Sequence, residues 1–206
     1  MNDMRSTFTS IYQTNGFFGS ESISGPGSSL AITANLRLQL PEVLLSFGIK
    51  RMVDAPCGDM NWMRLLDYNF DLLIGVDIVR ELVERLRSQF SAERYHFQIG
   101  DLCEDILPLA DAIFCRDCLV HLPYLKIMEA IKLFKLSGSK FLITTTFPEK
   151  ENGDLTGVGS WRPINLQAAP FSWPTPITLI RENGSNDTDP WNDKSLGFWS
   201  LRSLPG

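Results

Sequence analysis

The stretch that decides the fold is residues 52–77, which begins MVDAPCGD and ends LLIGVD. Each quoted run starts with apolar residues and reaches an aspartate, Asp54 in the first run and Asp77 in the second. Turn-forming residues follow Asp54, and the interval between the two aspartates is what one β-α-β unit requires. The stretch therefore predicts two parallel strands, each with a carboxylate at its carboxyl end.

The rest of the chain continues this alternation of strands and helices. Upstream, apolar residues at helical spacing predict a helix, then a second helix that begins at Pro41 and ends at Gly48. Two further strands near the C-terminus predict an antiparallel pair. The fold class is therefore α/β, a doubly wound, mostly parallel Rossmann-like sheet closed by an antiparallel C-terminal strand pair. The predicted strands are 52–55, 72–77, 95–99, 111–115, 140–147, 177–180 and 196–201, and the helices after the first strand are 80–90 and 124–136.

Length and composition predict one domain, 1–206, because 206 residues suit a single α/β domain. Residues 1–28 are rich in Ser, Gly and Thr, so we expect either a disordered tail or a lid over a ligand. Residues 148–175 are rich in Pro, Gly, Asn and Trp and follow the fifth strand, where we expect them to bind the acceptor. In the helix at 124–136, the apolar spacing predicts a buried stripe. Its members are Leu125, Met128, Ile131 and Phe134.

Charge and cysteine usage bound the partners and the compartment. The net charge of −5 and the pI of about 5.1 disfavour binding to a phosphate backbone, so no nucleic-acid partner is expected. No apolar run reaches membrane-helix length and no secretory signal is visible, so no membrane partner is expected. The scattered cysteines indicate reduced thiols and a cytoplasmic location. Cys115, Cys118 and His121 resemble part of a zinc site but lack a fourth ligand, so no metal is predicted.

Carboxylates follow four successive predicted strands, at Asp54, Asp77, Asp101 and Asp117. In open α/β sheets the ligand binds beyond the carboxyl ends of the strands, so these side chains are expected at one site. Carboxylates repel phosphates and disfavour a nucleotide pyrophosphate. A ligand with a ribose diol, an adenine amine, an ammonium group and a sulfonium group would suit them.

Over residues 52–147 the sequence resembles the class I S-adenosylmethionine-dependent methyltransferases, in the order and spacing of these acids. The resemblance implies S-adenosylmethionine as the cofactor, with Asp77 holding both ribose hydroxyls and Asp101 accepting from the adenine amine. Pro56 and Met60 stand where that family usually has glycine, and Ser and Gly residues of 22–28 are expected to supply the missing contacts. The residues that the resemblance assigns to the cofactor are Asp54, Ala55, Cys57, Gly58, Asp77, Ile78, Asp101, Leu102 and Arg116.

A narrower resemblance rests on residues 54–59 (DAPCGD), 115–122 (CRDCLVHL), 144–147 (TTTF) and 194–197 (KSLG). These strings look like a small group of methyltransferases that is often fused or adjacent to glycosyltransferases, with a domain that methylates a viral glycan rhamnose as one relative. The resemblance implies a chain that is part of, or adjacent to, a glycosyltransferase.

The catalytic prediction centres on His121, which follows the fourth strand and can be neutral and basic near pH 7. A hydroxyl acceptor needs a base as the new bond forms. Asp117 is expected to orient the imidazole or to act as the base itself, although it could equally cap the following helix. Trp161, Arg162 and Asn165 are the expected acceptor contacts. The predicted function is O-methylation of a sugar or glycan hydroxyl.

Three alternatives stay open at this point. The chain could methylate a small metabolite that is not a sugar. It could be a non-catalytic accessory domain that keeps the fold, since glycines are missing at Pro56 and Met60. A dehydrogenase ranks last, because the G-x-G-x-x-G fingerprint is absent after the first strand.

Overall fold

The computed structural model describes residues 4–90, 93–182 and 190–205. Seven strands form one sheet in the order β3-β2-β1-β4-β5-β7-β6. The first five strands are parallel to one another, and β7 runs antiparallel to both β5 and β6. The predicted fold class is confirmed. The strands are β1 (Arg51–Asp54), β2 (Leu72–Asp77), β3 (Tyr95–Ile99), β4 (Ala112–Cys115), β5 (Phe141–Thr146), β6 (Thr178–Arg181) and β7 (Ser195–Ser200).

Helices cover both faces of this sheet, as a doubly wound fold requires. They are α1 (Met4–Thr14), α2 (Ala34–Ser46), α3 (Arg80–Gln89) and α4 (Tyr124–Leu136). Neighbouring residues of β1 point to opposite faces, so Val53 joins the core beneath α4 while Met52 joins the core beneath α2 and α3. None of the described helices is long and apolar enough to cross a membrane.

The N-terminal segment contains a helix that its composition does not predict. The Ser, Gly and Thr content of residues 1–28 is typical of a loop and predicts a disordered tail or a lid, yet α1 spans 11 of these residues. Met4, Phe8 and Tyr12 recur at four-residue spacing and pack against the core. Tertiary packing of this stripe outweighs the low helix propensity of the Ser and Thr residues between its members.

The prediction that Pro41 starts a second helix is wrong. Pro41 lies inside α2, which runs unbroken from Ala34 to Ser46. Proline removes one N–H donor from the helix, but burial of Leu36, Leu40 and Leu44 on one side of α2 offsets that loss. Gly48 adopts a left-handed φ of 63° and ends the helix, as predicted.

The buried stripe of α4 is displaced from the predicted one. Leu125 and Met128 are exposed, at 74% and 46% of their full area. Ile131 and Phe134 are buried as expected, but Ile127 and Ala130 complete the stripe. The sequence of α4 has apolar residues on more than one face, so spacing alone does not determine which face packs on the sheet.

Candidate cofactor and active site

A cavity of about 470 Å³ lies beyond the carboxyl ends of β1, β2, β3 and β4. Parallel strands bring these ends to one edge of the sheet, which is why side chains far apart in sequence converge there. Eight of the nine predicted cofactor residues line the cavity. The exception is Ala55, which is fully buried and whose N–H donates to the carbonyl of Phe114. The eight are Asp54, Cys57, Gly58, Asp77, Ile78, Asp101, Leu102 and Arg116.

The turn after β1 keeps a left-handed backbone at two positions. Gly58 has a φ of 53° and Met60 has a φ of 59°. A Cβ atom on Gly58 would lie 2.3 Å from Oγ of Ser24, so only glycine permits this approach. Met60 holds this conformation although it is not glycine, and its buried side chain packs in the core.

Asp59 anchors the N-terminal segment to this turn. Its carboxylate accepts hydrogen bonds from Oγ of Ser22 (2.9 Å to each oxygen) and from the N–H of Ile23 (3.0 Å). In return, Oγ of Ser24 accepts from the N–H of Asp59 at 3.2 Å. The segment from Met4 to Ser28 thereby forms one wall of the cavity. Nothing in the spacing of Asp59 indicated this role, because its partners lie 35–37 residues earlier.

Asp77 receives backbone hydrogen bonds on both carboxylate oxygens. The N–H of Gly58 donates to Oδ2 at 3.1 Å and the N–H of Val79 donates to Oδ1 at 3.0 Å. Burial raises the pKa of Asp77 to about 6, although these two donors favour the charged form. A ligand that donates to this carboxylate would therefore bind better to its ionised form.

The carboxylates of Asp54 and Asp101 flank Asp77 in the same cavity. Burial, followed by the negative charge of Asp77, raises the pKa of Asp54 well above its usual range, while Arg116 opposes that shift. Burial also raises the pKa of Asp101, and its Oδ1 accepts from the N–H of Cys103 at 2.8 Å. Three adjacent acids in a sheltered cavity form a site for a ligand rich in donors or positive charge.

A cluster of four charged side chains closes the cavity on the β4 side. Arg116 pairs with Glu182, whose oxygens lie 3.1 Å from Nε, and Nη2 of Arg116 also donates to the carbonyl of Gly27 at 2.9 Å. Lys194 contacts both Asp117 and Glu182. Arg116 and Lys194 are the cations among the described lining residues, and each is already paired with a carboxylate.

Asp117 fits none of its three sequence-based interpretations, which are an orienting residue, a base and a helix cap. It has a left-handed φ of 51°, and no side-chain cap is present at the short 3-10 helix (Leu119–His121) or at α4 that follow it. Its Oδ2 contacts Lys194 and Arg116 rather than the imidazole of His121. Burial raises the pKa of Asp117, but the charges of Lys194 and Arg116 outweigh burial and lower it to about 2. The geometry therefore supports neither an orienting hydrogen bond to His121 nor a basic carboxylate.

His121 lines the cavity at the end of the 3-10 helix. Its Nδ1 lies 2.9 Å from the carbonyl oxygen of Ser160, and its ring lies 4.9 Å from the ring of Phe17. A carbonyl oxygen only accepts, so Nδ1 carries the proton and Nε2 keeps a lone pair in the neutral ring. Burial lowers the pKa of His121 despite the raising effect of Ser160. The neutral, proton-accepting form is therefore favoured near pH 7.

Of the three predicted acceptor contacts, the structure brings only Trp161 to the cavity. Arg162 is buried, and its guanidinium donates to the carbonyls of Leu119, Leu122 and Gly153. Asn165 is also buried and donates to the carbonyl of Pro148 at 2.8 Å. These two side chains satisfy backbone carbonyls instead of facing a ligand. Arg162 thereby holds backbone carbonyls on both sides of His121, at Leu119 and at Leu122.

The described residues contain no group of His, Cys, Asp and Glu suited to hold a metal ion. All four cysteines are buried and free. Burial raises the pKa of Cys103 above its usual value. A hydrogen bond with Cys115, followed by burial, raises the pKa of Cys118. Protonated buried thiols are unreactive, so these cysteines act as packing residues.

Solved structures of methyltransferases share this fold. No protein-family model matches the sequence, and no curated protein matches it either. The N-methyltransferase NodS from Bradyrhizobium japonicum WM9, in complex with S-adenosyl-L-homocysteine, is 13% identical over 95% of this chain and 98% of its own, with a TM-score of 0.64. The methyltransferase domain of bacterial CtHen1 is 19% identical over 84% and 99%, with a TM-score of 0.61.

A third structure, the DhpI–SAM–HEP complex, is 17% identical over 73% of this chain and 69% of its own, with a TM-score of 0.55. The chain thus has the Rossmann-like α/β fold of the S-adenosylmethionine-dependent methyltransferases.

Proposed function

We propose that the chain is an S-adenosylmethionine-dependent methyltransferase that methylates a hydroxyl of a sugar or glycan, with His121 as the general base. The observation that carries the proposal is the cavity itself, where three buried carboxylates lie at the ends of three adjacent parallel strands and the imidazole of His121 lies beyond the fourth. The shared fold and the S-adenosylmethionine or S-adenosylhomocysteine bound to solved relatives support this choice of cofactor.

The residues of the cavity fit S-adenosylmethionine better than a nucleotide phosphate. Both lining cations are paired with carboxylates, so the described lining offers no free positive charge for a pyrophosphate. Asp77 would accept from the ribose hydroxyls and Asp101 from the adenine amine, and Ile78 and Leu102 supply apolar surface for the adenine ring. The cofactor would supply a methyl group made electrophilic by its sulfonium sulfur.

His121 would receive the proton of the acceptor hydroxyl at Nε2 as the methyl group is transferred. An aliphatic hydroxyl is too weak a nucleophile to react without proton removal, and a positioned base contributes about 10²–10⁴ in rate. Ser160 fixes the tautomer through Nδ1, and Arg162 holds the backbone on both sides of the ring. The low pKa of Asp117 leaves His121 as the better base of the two.

The charge of the β4 cluster favours a neutral acceptor. Arg116 and Lys194 balance Asp117 and Glu182, so the cluster beside His121 has no uncompensated negative charge to attract a cationic amine. Trp161 adds an exposed indole that can stack on the apolar face of a sugar ring. A small hydroxylated metabolite that is not a sugar is the runner-up acceptor.

The N-terminal segment, residues 4–28, acts in this proposal as a lid over the bound ligands. Phe8, Phe17 and Gly27 line the cavity. Asp59 holds the segment near its C-terminal end, through Ser22 and Ile23. A lid that excludes water would protect the reacting groups and position them. The association with a glycosyltransferase and the cytoplasmic location remain predictions from the sequence.

One observation favours the accessory-domain alternative. The amides of the turn after β1 are engaged within the protein, since Cys57 donates to Val76, Gly58 to Asp77 and Asp59 to Ser24. This turn therefore offers few donors to the carboxylate of the cofactor. A degenerate domain would use the same bonds to stabilise an empty fold.

Calorimetry with S-adenosylmethionine separates the two functions. Binding with micromolar or tighter affinity, followed by release of S-adenosylhomocysteine with a sugar or oligosaccharide acceptor, would support the enzyme. Binding of the cofactor with turnover only on non-sugar alcohols would move the acceptor to the runner-up class. If neither S-adenosylmethionine nor S-adenosylhomocysteine gives any heat of binding, the proposed methyltransferase activity is overturned and the accessory domain is favoured.

A further inference from the structure

Two exposed tryptophans pack edge-to-face at the edge of the cavity. Trp161 is 41% exposed and Trp191 is 38% exposed, whereas Trp62, Trp173 and Trp199 are buried. The ring centroids of Trp161 and Trp191 are 4.8 Å apart with an interplanar angle of 75°. Trp161 lines the cavity and Trp191 does not. Trp191 therefore lies outside the cavity, in contact with an indole that lines it.

A buried phenylalanine supports both indoles from beneath. Phe147 directly follows β5 and is fully buried, and its ring packs edge-to-face against Trp161 at 5.9 Å and against Trp191 at 6.1 Å. The two tryptophans come from segments 30 residues apart in sequence, so tertiary structure creates the pair. Support by a common core residue fixes their exposed surfaces before any ligand arrives, which lowers the entropic cost of binding.

The surroundings of the pair are charged rather than uniformly apolar. Nζ of Lys150 lies over the ring of Trp191, 5.6 Å from its centroid, and 4.0 Å from Oδ1 of Asp193. An aliphatic or lipid partner would remove water from these charged groups without replacing their hydrogen bonds. A ligand with both an apolar face and hydroxyl groups matches this mixture.

The cavity is too small to hold the cofactor and a long acceptor together. Its volume of about 470 Å³ is in the lower part of the range for a single drug-sized ligand. With the cofactor bound, little more than the reacting ring of an acceptor fits beside His121. Any further part of the acceptor must leave the cavity at its edge, and Trp161 forms part of that edge.

We infer that Trp161 and Trp191 form a second acceptor subsite, which binds the sugar ring next to the one that is methylated. The inference rests on the proposed function, because it assigns the acceptor as an oligosaccharide or the end of a glycan rather than a single sugar. The apolar C–H face of the second ring packs against the exposed part of the Trp191 indole, and its hydroxyls face Lys150 and solvent.

The first test uses tryptophan fluorescence and does not depend on methyl transfer. Since the other three tryptophans are buried, quenching by acrylamide reports mainly on Trp161 and Trp191. We expect maltotriose, cellotriose or mannotriose at millimolar concentration to protect these indoles, with and without S-adenosylhomocysteine, more than glucose or mannose does. The Trp191→Ala variant should lose the protection, and Trp191→Phe should restore part of it.

The second test compares kinetics on long and short acceptors. Trp191→Ala should raise KM for a trisaccharide acceptor about tenfold more than it raises KM for the matching monosaccharide acceptor. This ratio is the effect expected for the loss of one stacking contact. Leu38→Ala, which alters an exposed apolar residue on α2, should change neither value.

The outcomes separate the subsite from the proposed function. Protection by a trisaccharide without any methylation would support the subsite and count against the enzyme. Methylation of a monosaccharide by a protein whose indoles no trisaccharide protects would overturn the subsite and leave the enzyme intact. Equal effects of Trp191→Ala on both acceptor lengths would also overturn the subsite.

Discussion

At the residue scale, His121 shows how local contacts decide what a side chain can do. The sequence places a histidine after the fourth strand, but it does not show which ring nitrogen is free. The hydrogen bond between Nδ1 and the carbonyl of Ser160 leaves Nε2 as the free nitrogen. The expected partner, Asp117, contacts Lys194 instead, because these residues are brought together from positions 77 apart in the chain.

Replacement of His121 by Ala should lower kcat by about 10²–10⁴ and leave cofactor affinity nearly unchanged. The carboxylates assigned to the cofactor lie on other strands, so they keep their geometry. The acid limb of the pH profile, which reflects protonation of the imidazole, should disappear. Stopped assays across pH and calorimetry would measure both effects. His96→Gln, at an exposed position on β3, is the matched control, and equal kcat in both variants would contradict the role of His121.

Asp77 should make cofactor binding depend on pH. Its pKa is raised to about 6. Only the ionised carboxylate can accept a ribose hydroxyl at each of its two oxygens, because a protonated carboxyl carries a hydrogen on one of them. Binding must then release a proton below this pKa, so affinity should rise as pH increases from about 5 to about 7, by up to about tenfold per unit. Calorimetry in buffers of different ionisation enthalpy would detect the proton. Asp77→Ala should bind weakly and lose this dependence. An affinity of the parent that stays flat over this range would rule out the assignment of the ribose to Asp77.

At the element scale, α1 and α2 show where a sequence pattern stops being informative. The strands could be predicted because buried parallel strands are short apolar runs that end in turns. The helix α1 could not, because its apolar residues are separated by Ser and Thr and acquire a partner only when the cavity forms. Pro41 likewise indicated a boundary that packing of Leu40 and Leu44 overrides.

Asp59 should hold the proposed lid, residues 4–28, in place. Asp59→Ala removes the charged acceptor of hydrogen bonds from Ser22 and Ile23, each worth about 1.5–3 kcal/mol when it involves a charged group. Amide hydrogen exchange should therefore accelerate in α1 and in residues 19–28 while the sheet keeps its protection. Cofactor affinity should fall at the same time. Unchanged exchange in α1 would show that the segment is held by its apolar contacts instead.

At the scale of the whole molecule, parallel topology explains why so much of the site could be predicted. Acids after successive strands must meet at one edge, and Asp54, Asp77 and Asp101 do so. The partners of Arg116 could not be predicted in the same way. Glu182 lies 66 residues away, after a strand that is antiparallel to its neighbour, and Gly27 lies 89 residues earlier in a segment without a clear pattern. Long-range polar contacts leave no periodic trace in a sequence.

This buried cluster connects the N-terminal segment, β4 and the C-terminal strand pair, so we expect it to affect the stability of the whole domain. Glu182→Ala would leave Arg116, whose side chain is 4% exposed, without its main partner. Loss of one member of a buried ion pair costs about 3–5 kcal/mol, which corresponds to a fall in Tm of roughly 6–20 °C for a chain of this size.

Glu149→Ala provides the matched control, because it breaks an ion pair with Arg181 in which both side chains are more than half exposed. Exposed pairs contribute little, so Tm should stay within experimental error. Calorimetric melting of both variants would decide the point. A Tm for Glu182→Ala as high as that of Glu149→Ala would mean that water or Asp117 compensates Arg116, and that the cluster serves the site without stabilising the fold.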